Sequence, residues 1–377
     1  MSEHLRELVV DLDAISSNTG VLVERSACGA VMAVVKADAY GHGLVPAAHA
    51  ALAGGATWLG VALLDEALAL RKAGVTAPVL SWLVGPGEAW EEAIAADVDV
   101  SVAATWMLGE VAEAARAAGR PARVHLKVDS GLGRSGAPSA QWPELCAAAS
   151  RATSDGLVDV VGIWSHLAYA DAPGHPTIDR QLAAFTEAID VAERAGLRPQ
   201  VRHLANSAAT LTRSDTHFDL TRPGLAVYGL SPLPDATSVS LGLVPAMTLQ
   251  ARLALLKEAE AGQGVSYLNE YVTDRRTTLG LVPLGYADGV PRAATNVGPV
   301  LVGGRRRTVA GVVCMDQFML DLGDDQLEPG APVVLFGSGE HGEPTAQDWA
   351  EATGTISYEI VARIGPRVTR RYVGAAR

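Results

Sequence analysis

From residue 31 onward the chain alternates short apolar or β-branched runs with longer segments in which Ala, Leu and Glu recur at helical spacing. The runs "VMAVVK", "TWLGVA", "PVLSWL", "VDVSVA", "RVHLKV", "VVGIWSHL", "VRHLAN" and "FDLTRPGLAVYG" read as eight strands. Between them "LVPAAHAALAGG", "LLDEALALRKAG", "GEAWEEAIAA", "WMLGEVAEAARAAG", "WPELCAAASRA" and "RQLAAFTEAIDVAERAG" read as helices, several closed by a glycine suited to the C-cap. Strand-then-helix units repeated over roughly 200 residues predict an α/β fold, an N-terminal (β/α)8 TIM-type barrel with its helices outside. An open doubly wound sheet is the other arrangement of the same units.

Beyond about residue 235 the period changes. "AMTLQARLALLKEA", "RTTLGLVPLGYADG", "GPVLVGG", "RTVAGVVCMDQFMLDLGD" and "APVVLFGS" are strand-like pieces separated by Gly, Pro and Asp turns, with one helix around "TAQDWAEATG". The expected organisation is a barrel over 8–235 and a second, mostly β C-terminal domain over 236–377. The opening "ELVVDL" precedes the barrel count, and the N-terminal strand 1–12 is expected to pack on the second domain.

Composition narrows the class. The 377 residues are 49% hydrophobic, enough for one large domain plus a smaller one. Net charge is −12 and the basic residues are dispersed, apart from Arg305-Arg306-Arg307, so nucleic acid is excluded as a partner. That arginine run reads as a solvated turn after Gly303-Gly304. Neither a signal-peptide core nor a bilayer-length apolar stretch is present, which predicts a cytoplasmic protein with no membrane partner. Cys28, Cys146 and Cys314 are odd in number and lack C-x-x-C spacing, so neither a disulfide framework nor a zinc site is expected. His42, in "YGHG", reads as turn chemistry, since no second ligand sits at metal spacing, and no metal is expected. "GSGEHG", residues 337–342, spells a dinucleotide fingerprint, but Glu343-Pro344 interrupts any helix that could follow, which makes it a surface loop.

In such a barrel the functional side chains gather at the C-terminal ends of the strands. Lys36 ends the first strand, Lys127 and Asp129 the fifth and His166 the sixth; Asn206 and Ser207 follow the seventh, and Arg222 and Gly224 lie in the eighth. A lysine ending a buried strand is costly unless chemistry requires it. Desolvation and neighbouring cations lower its pKa and give an amine able to attack a carbonyl. Pyridoxal phosphate is the commonest carbonyl cofactor of this kind, and the loops carrying Ser207 and Gly224-Leu225 offer donors for its phosphate. From this pattern alone, a Schiff base made directly with substrate and a structural lysine both stay open.

The motifs resolve further. "VVKADAYGHG", "HLKVDSGLGRSG", "SHLAYAD", "ANSAA", "RPGLAVYG", "GVSY", "VPLGYADG", "GVVCMDQ" and "ISYEI" follow one another in the order of the alanine racemase family, which the chain resembles over essentially its full length. The resemblance implies an N-terminal barrel with a C-terminal β domain, pyridoxal 5′-phosphate as cofactor, and a homodimer whose active site is shared between subunits. It implies that Lys36 carries the cofactor and acts as one of two bases, the other being Tyr267 contributed by the partner subunit. Tyr40, Ser207, Gly224, Leu225 and Tyr358 would bind the phosphate, with Asn206 beside them. Arg222 would face the pyridine nitrogen, and His166 would lie between Arg222 and Tyr267. Arg134 and the backbone of Met315 would hold the substrate carboxylate, while Tyr286, Cys314 and Asp316 would shape the surroundings. Lys127 matches a position that is carbamylated in some members.

Two departures accompany the match: Leu268 follows Tyr267 where the family usually has glycine, leaving Tyr271 as a second candidate, and Leu132 replaces a common methionine. The implied reaction is two-base interconversion of L-alanine and D-alanine, supplying D-alanine for peptidoglycan. A racemase acting on serine or a broader set of small amino acids is the alternative within the same fold. A barrel decarboxylase is disfavoured, because such enzymes place an acid where Arg222 stands. A cofactor-carrier protein would lack the second domain.

Overall fold

The computed structural model describes residues 4–374; the outer ends of the strand expected over 1–12 and of the domain expected to reach 377 lie outside the described residues. Seven strands form one parallel sheet in sequential order: β2 (Met32–Val34), β3 (Trp58–Val61), β4 (Val79–Ser81), β5 (Val98–Val102), β6 (Ala122–Lys127), β7 (Val158–Trp164) and β8 (Val201–His203). Helices intervene between successive strands, from Leu44–Ala53 to Thr177–Arg194, and bury one apolar stripe each. This is the predicted barrel, with one change at its seam. The segment expected as the eighth strand forms only a parallel bridge from Thr221 to Val31, then turns into a 3-10 helix at Leu225–Tyr228. Pro223 has no N–H to continue the ladder. Backbone hydrogen bonds still close the ring on both sides, from Arg222 N to Ala205 O (2.8 Å) and from Met32 N to Thr221 O (2.8 Å).

Compact packing divides the chain into two units. One holds the barrel, residues 15–39 and 43–243; the other holds the described residues up to 14, residues 40–42 and the described residues from Val244 onward. In the second unit β1 (Arg6–Asp11) lies between β9 (Met247–Arg252), antiparallel, and β18 (Thr369–Val373), parallel. Numbered along the chain, the remaining strands are β10 (Leu255–Ala259), β11 (Gly264–Val265), β12 (Tyr271–Val272), β13 (Thr277–Val282), β14 (Pro299–Val302), β15 (Arg305–Thr308), β16 (Phe318–Gly323) and β17 (Pro332–Phe336). They make a six-stranded sheet β15-β14-β17-β9-β1-β18, a three-stranded sheet β10-β13-β16 and the small β11-β12 ribbon.

The arginine run is a correction to the sequence reading. Arg305–Thr308 is the edge strand of the larger sheet, reached through a two-residue turn at Gly303 and Gly304, both at positive φ. Arg305 and Arg307 pair with Asp325, so the charges pin and protect an edge instead of decorating a turn. The "GSGEHG" stretch is the loop expected: the Glu343 carboxylate accepts hydrogen bonds from Ser338 Oγ and the Gly339 and His341 N–H groups, closing it on itself.

Candidate active site

Strand β2 stops because the residues after it take a conformation no strand allows. Ala37, Asp38, Ala39 and Tyr40 all have φ between 53° and 55°, a left-handed turn built without glycine. Glu66 holds its entrance, accepting the Ala37 N–H at 2.6 Å, and the Asp38 carboxylate accepts the Leu44 N–H at 2.8 Å at its exit. Lys36 is thereby fixed at the mouth of the barrel. Burial and the Arg134 guanidinium lower its pKa, against a smaller opposing pull from Glu66.

Four further polar groups of the barrel unit converge on the same mouth. Lys127 ends β6, buried, with its ammonium 4.2 Å from the centre of the Trp164 ring and bonded to Ser135 Oγ. Burial, Arg222 and Arg134 bring its pKa down to about 7. His166 follows β7; burial and the cations Arg222, Arg134, Lys127 and Lys36 push its pKa well below the ordinary imidazole value, so it is neutral at pH 7. Arg134 is exposed on the loop after β6, whose shape Asp129 sets by accepting the N–H groups of Gly131, Leu132 and Gly133. Asp129 is thus a loop organiser.

Arg222 is buried under this layer, its guanidinium 4.9 Å from the Trp164 ring centre. Burial lowers its pKa to about 9. It donates to Ser165 O (2.7 Å), Leu204 O (3.2 Å) and His203 Nδ1 (3.0 Å), which commits three of the five N–H groups an arginine carries. Beside it, Ser207 Oγ accepts the N–H groups of Gly224 (2.8 Å) and Ala226 (3.3 Å). Asn206 caps the helix Ser207–Thr212 by accepting the Ala209 N–H, and Leu225 opens the 3-10 helix that follows Gly224. A primary amine of lowered pKa, a hydroxyl ringed by amide donors and a guanidinium with two hydrogens uncommitted suit a flat carbonyl cofactor bearing a phosphate.

The other predicted residues lie in the second unit. Tyr40 is buried with its ring 6.1 Å from that of Tyr358, and burial, then Tyr358, raises its pKa. Tyr267, Met315, Asp316 and Cys314 line one groove of about 590 Å³. Tyr286 borders the same turn, its N–H donating to Cys314 O (3.0 Å). Gly285 makes this approach possible, because a Cβ there would stand 2.3 Å from the carbonyl oxygens of Cys314 and Met315. Asp316 is paired with Arg367 at 2.6 Å.

The two tyrosine candidates separate clearly. Tyr271 donates its hydroxyl to Asp321 at 2.7 Å, and burial with that carboxylate raises its pKa to about 12. Tyr267 is 68% exposed at the start of the turn Tyr267–Asn269. Leu268, the departure from the family pattern, has φ of 63°, which accounts for glycine being favoured at that position. Sequence reasoning missed His203, His125 and Asp99, three buried groups linked to Arg222; their signal was polar residues at every second position within strands read as apolar, as in "VDVSV" and "RVHLK".

Comparison with known proteins identifies the family of both units. The family model described as "Alanine racemase, N-terminal domain" matches residues 10–232, and "Alanine racemase, C-terminal domain" matches 246–372. The chain is 62% identical to an alanine racemase of Frankia casuarinae, over 97% of this chain and 95% of that protein. It is also 62% identical to one of Salinispora arenicola, covering 98% of each. A solved alanine racemase from D-cycloserine-producing Streptomyces lavendulae superposes with a TM-score of 0.98 at 55% identity, covering 100% of this chain and 98% of that one.

Proposed function

The chain belongs to the alanine racemase family, and on that premise we propose that its barrel mouth holds pyridoxal 5′-phosphate while Lys36 and Tyr267 move the Cα proton of alanine. The reaction is the reversible interconversion of L-alanine and D-alanine. The observation that carries the site assignment is the buried Arg222 guanidinium, with hydrogens to spare, acting together with the strand-end Lys36 on Lys127 and His166.

The cofactor, when bound, withdraws electrons and makes the Cα proton acidic. Lys36 would hold the cofactor and would take or return the Cα proton on one face; burial and Arg134 lower its pKa, which favours the neutral amine that this role requires. Tyr267 serves the other face. Ser207 and the backbone of Gly224 and Leu225 would hold the phosphate, with Tyr40, Asn206 and Tyr358 as its further ligands. Arg222 would face the ring nitrogen and, having only donors to offer, would favour its unprotonated form, a weaker electron sink that limits transamination. His166, neutral, lies beside Arg222 without adding charge. Arg134 and the Met315 backbone receive the substrate carboxylate; Tyr286, Cys314 and Asp316 shape the entrance.

Tyr267 and Met315 reach the barrel mouth of a second copy in a homodimer. Their exposure along one groove, 68% and 53%, and the 81% exposure of Leu268 next in the chain to Tyr267 support a partner at this surface. The D-alanine formed would supply peptidoglycan, and the protein would act in the cytoplasm; among the described residues no helix is long and apolar enough to cross a membrane. Neither does any group of acids, cysteines and histidines among them suit a metal ion.

Incubation of the purified protein and cofactor with L-alanine in deuterated water is expected to give D-alanine carrying deuterium at Cα. Deuterium uptake with no inversion would remove Tyr267 from its role, and absence of exchange would overturn the site assignment as a whole.

Lys127 is expected to take up carbon dioxide, losing a proton and becoming a carbamate anion beside Arg134. The pKa of about 7 sets the sign: the reactive neutral amine predominates above pH 7 and is lost below it. Protein in 13C-bicarbonate should show a carbamate carbon at pH 8 that fades by pH 6 and is absent from Lys127→Arg. A signal indifferent to that substitution would reject the modification.

A further inference from the structure

Arg222 is a buried cation whose three acceptors are two carbonyl oxygens and an imidazole nitrogen; among them there is no carboxylate. A buried guanidinium ordinarily has an anion to offset its desolvation. The nearest route to one runs down the barrel interior. His203 Nε2 lies 2.9 Å from His125 Nδ1, and His125 Nε2 lies 3.1 Å from Asp99 Oδ2. Asp99, second residue of β5, is bonded by Arg123 at 2.6 Å and 3.1 Å, and the Arg123 side chain is one-third exposed. His203 and His125 are 0% exposed and Asp99 1%.

The direction of donation in this chain is forced from both ends. Arginine has no acceptor, so His203 Nδ1 must be bare and its proton sits on Nε2. That N–H donates to His125 Nδ1, which places the His125 proton on Nε2, where it donates to Asp99. Asp99 can receive it because it stays ionised: burial opposes the charge, but the hydrogen bonds from His125 and Arg123 outweigh it and hold the carboxyl below the usual range. The rings have little freedom to turn. His203 stacks on Trp164 with 7° between planes, His125 meets Trp58 edge-on, and a Cβ on Gly162 would stand 2.2 Å from His125 Nδ1.

We propose that Asp99 is a remote positioning residue for the reaction, fixing the tautomers of His125 and His203 so that the Arg222 guanidinium is held charged and aimed at the cofactor ring. The proposal rests on the assignment of Arg222 to that ring. Without the carboxylate only the Arg222 end fixes the direction: His125 can shift its proton to Nδ1, where it would confront the His203 Nε2 proton donor to donor and unseat the ring that Arg222 leans on. Asp99 touches neither cofactor nor substrate; it acts through three intervening groups.

Asp99→Asn tests this, because an amide offers one oxygen to two donors, His125 and Arg123, where a carboxylate offers two. In 15N NMR of histidine-labelled apoprotein, the wild type should show both His125 and His203 as Nε2–H tautomers, and Asp99→Asn should shift at least one. The holoenzyme variant should lose about tenfold in kcat, the scale of one charge-assisted hydrogen bond, with KM for alanine within about twofold and a displaced cofactor absorption band. Asp159→Asn, which removes the outer partner of Arg123 and touches neither histidine, should keep both tautomers and kcat. Wild-type rings in any other tautomer would overturn the chain, whether or not the variant folds. Unchanged tautomers and kcat in Asp99→Asn would reduce Asp99 to a partner of Arg123. Shifted tautomers with unchanged kcat and absorption would leave the chain standing and refute the placing of Arg222 at the ring.

Discussion

Lys36→Ala is expected to abolish racemisation in both directions, lowering turnover by roughly four orders of magnitude, since on the proposed assignment it removes a proton-transfer group and the covalent anchor together. Chiral chromatography of alanine, started from each enantiomer, measures this directly. Folding should not suffer. Lys36 shares the barrel mouth with Arg134 and Lys127, whose charges disfavour one another in that setting. Removing one cation relieves repulsion, so the melting temperature of the apoprotein should hold or rise, the pattern expected where a strained functional group is exchanged for stability. Substantial residual activity in Lys36→Ala would take the base role away from it. A large loss of stability would instead make it a structural lysine.

Tyr267→Phe carries the second large effect. Net racemisation should fall by roughly two to four orders of magnitude, the range for a positioned acid or base. One enantiomer should nevertheless keep exchanging its Cα hydrogen with solvent through Lys36, without inversion, so that loss of racemisation and persistence of exchange appear in the same sample. The side chain is exposed, so unfolding free energy should move by no more than about 0.5 kcal/mol. Tyr271→Phe supplies the contrast. It removes a hydroxyl from a carboxylate and should cost about 1.5–3 kcal/mol of stability while leaving racemisation intact. Unchanged turnover in Tyr267→Phe would leave inversion without its second base.

The barrel was legible because its strands alternate with helices at spacings that local propensity can report. Where tertiary closure overrode propensity, the reading failed. "FDLTRPGLAVYG" has the apolar content of a strand, yet Pro223 limits it to a single bridge. Helix Leu12–Arg25 went unpredicted because Ser16, Ser17, Asn18 and Thr19 are weak helix formers; it is secured instead by Asp11 accepting the Ala14 N–H and by the burial of Ile15 and Leu22. At the site, strand-end position pointed to Lys36, Lys127, His166 and Arg222 before any motif was considered. The choice between Tyr267 and Tyr271 needed the Asp321 bond, which links residues 50 apart. Asp99 and His125 were passed over for a related reason: inside a barrel the strand face turned to the axis can be polar, and alternation alone does not say which face is which.

The turn after Lys36 has one more consequence. Ala37 and Ala39 sit at φ of 54° and 55°, the mirror image of ordinary helical backbone, at a cost for an L-residue of about 1–2 kcal/mol each. For the D enantiomer the same torsions are the relaxed ones. The chain therefore carries Lys36 at the start of a stretch of backbone where D-alanine would be the less strained building block, and ribosomal synthesis can place only L-alanine there.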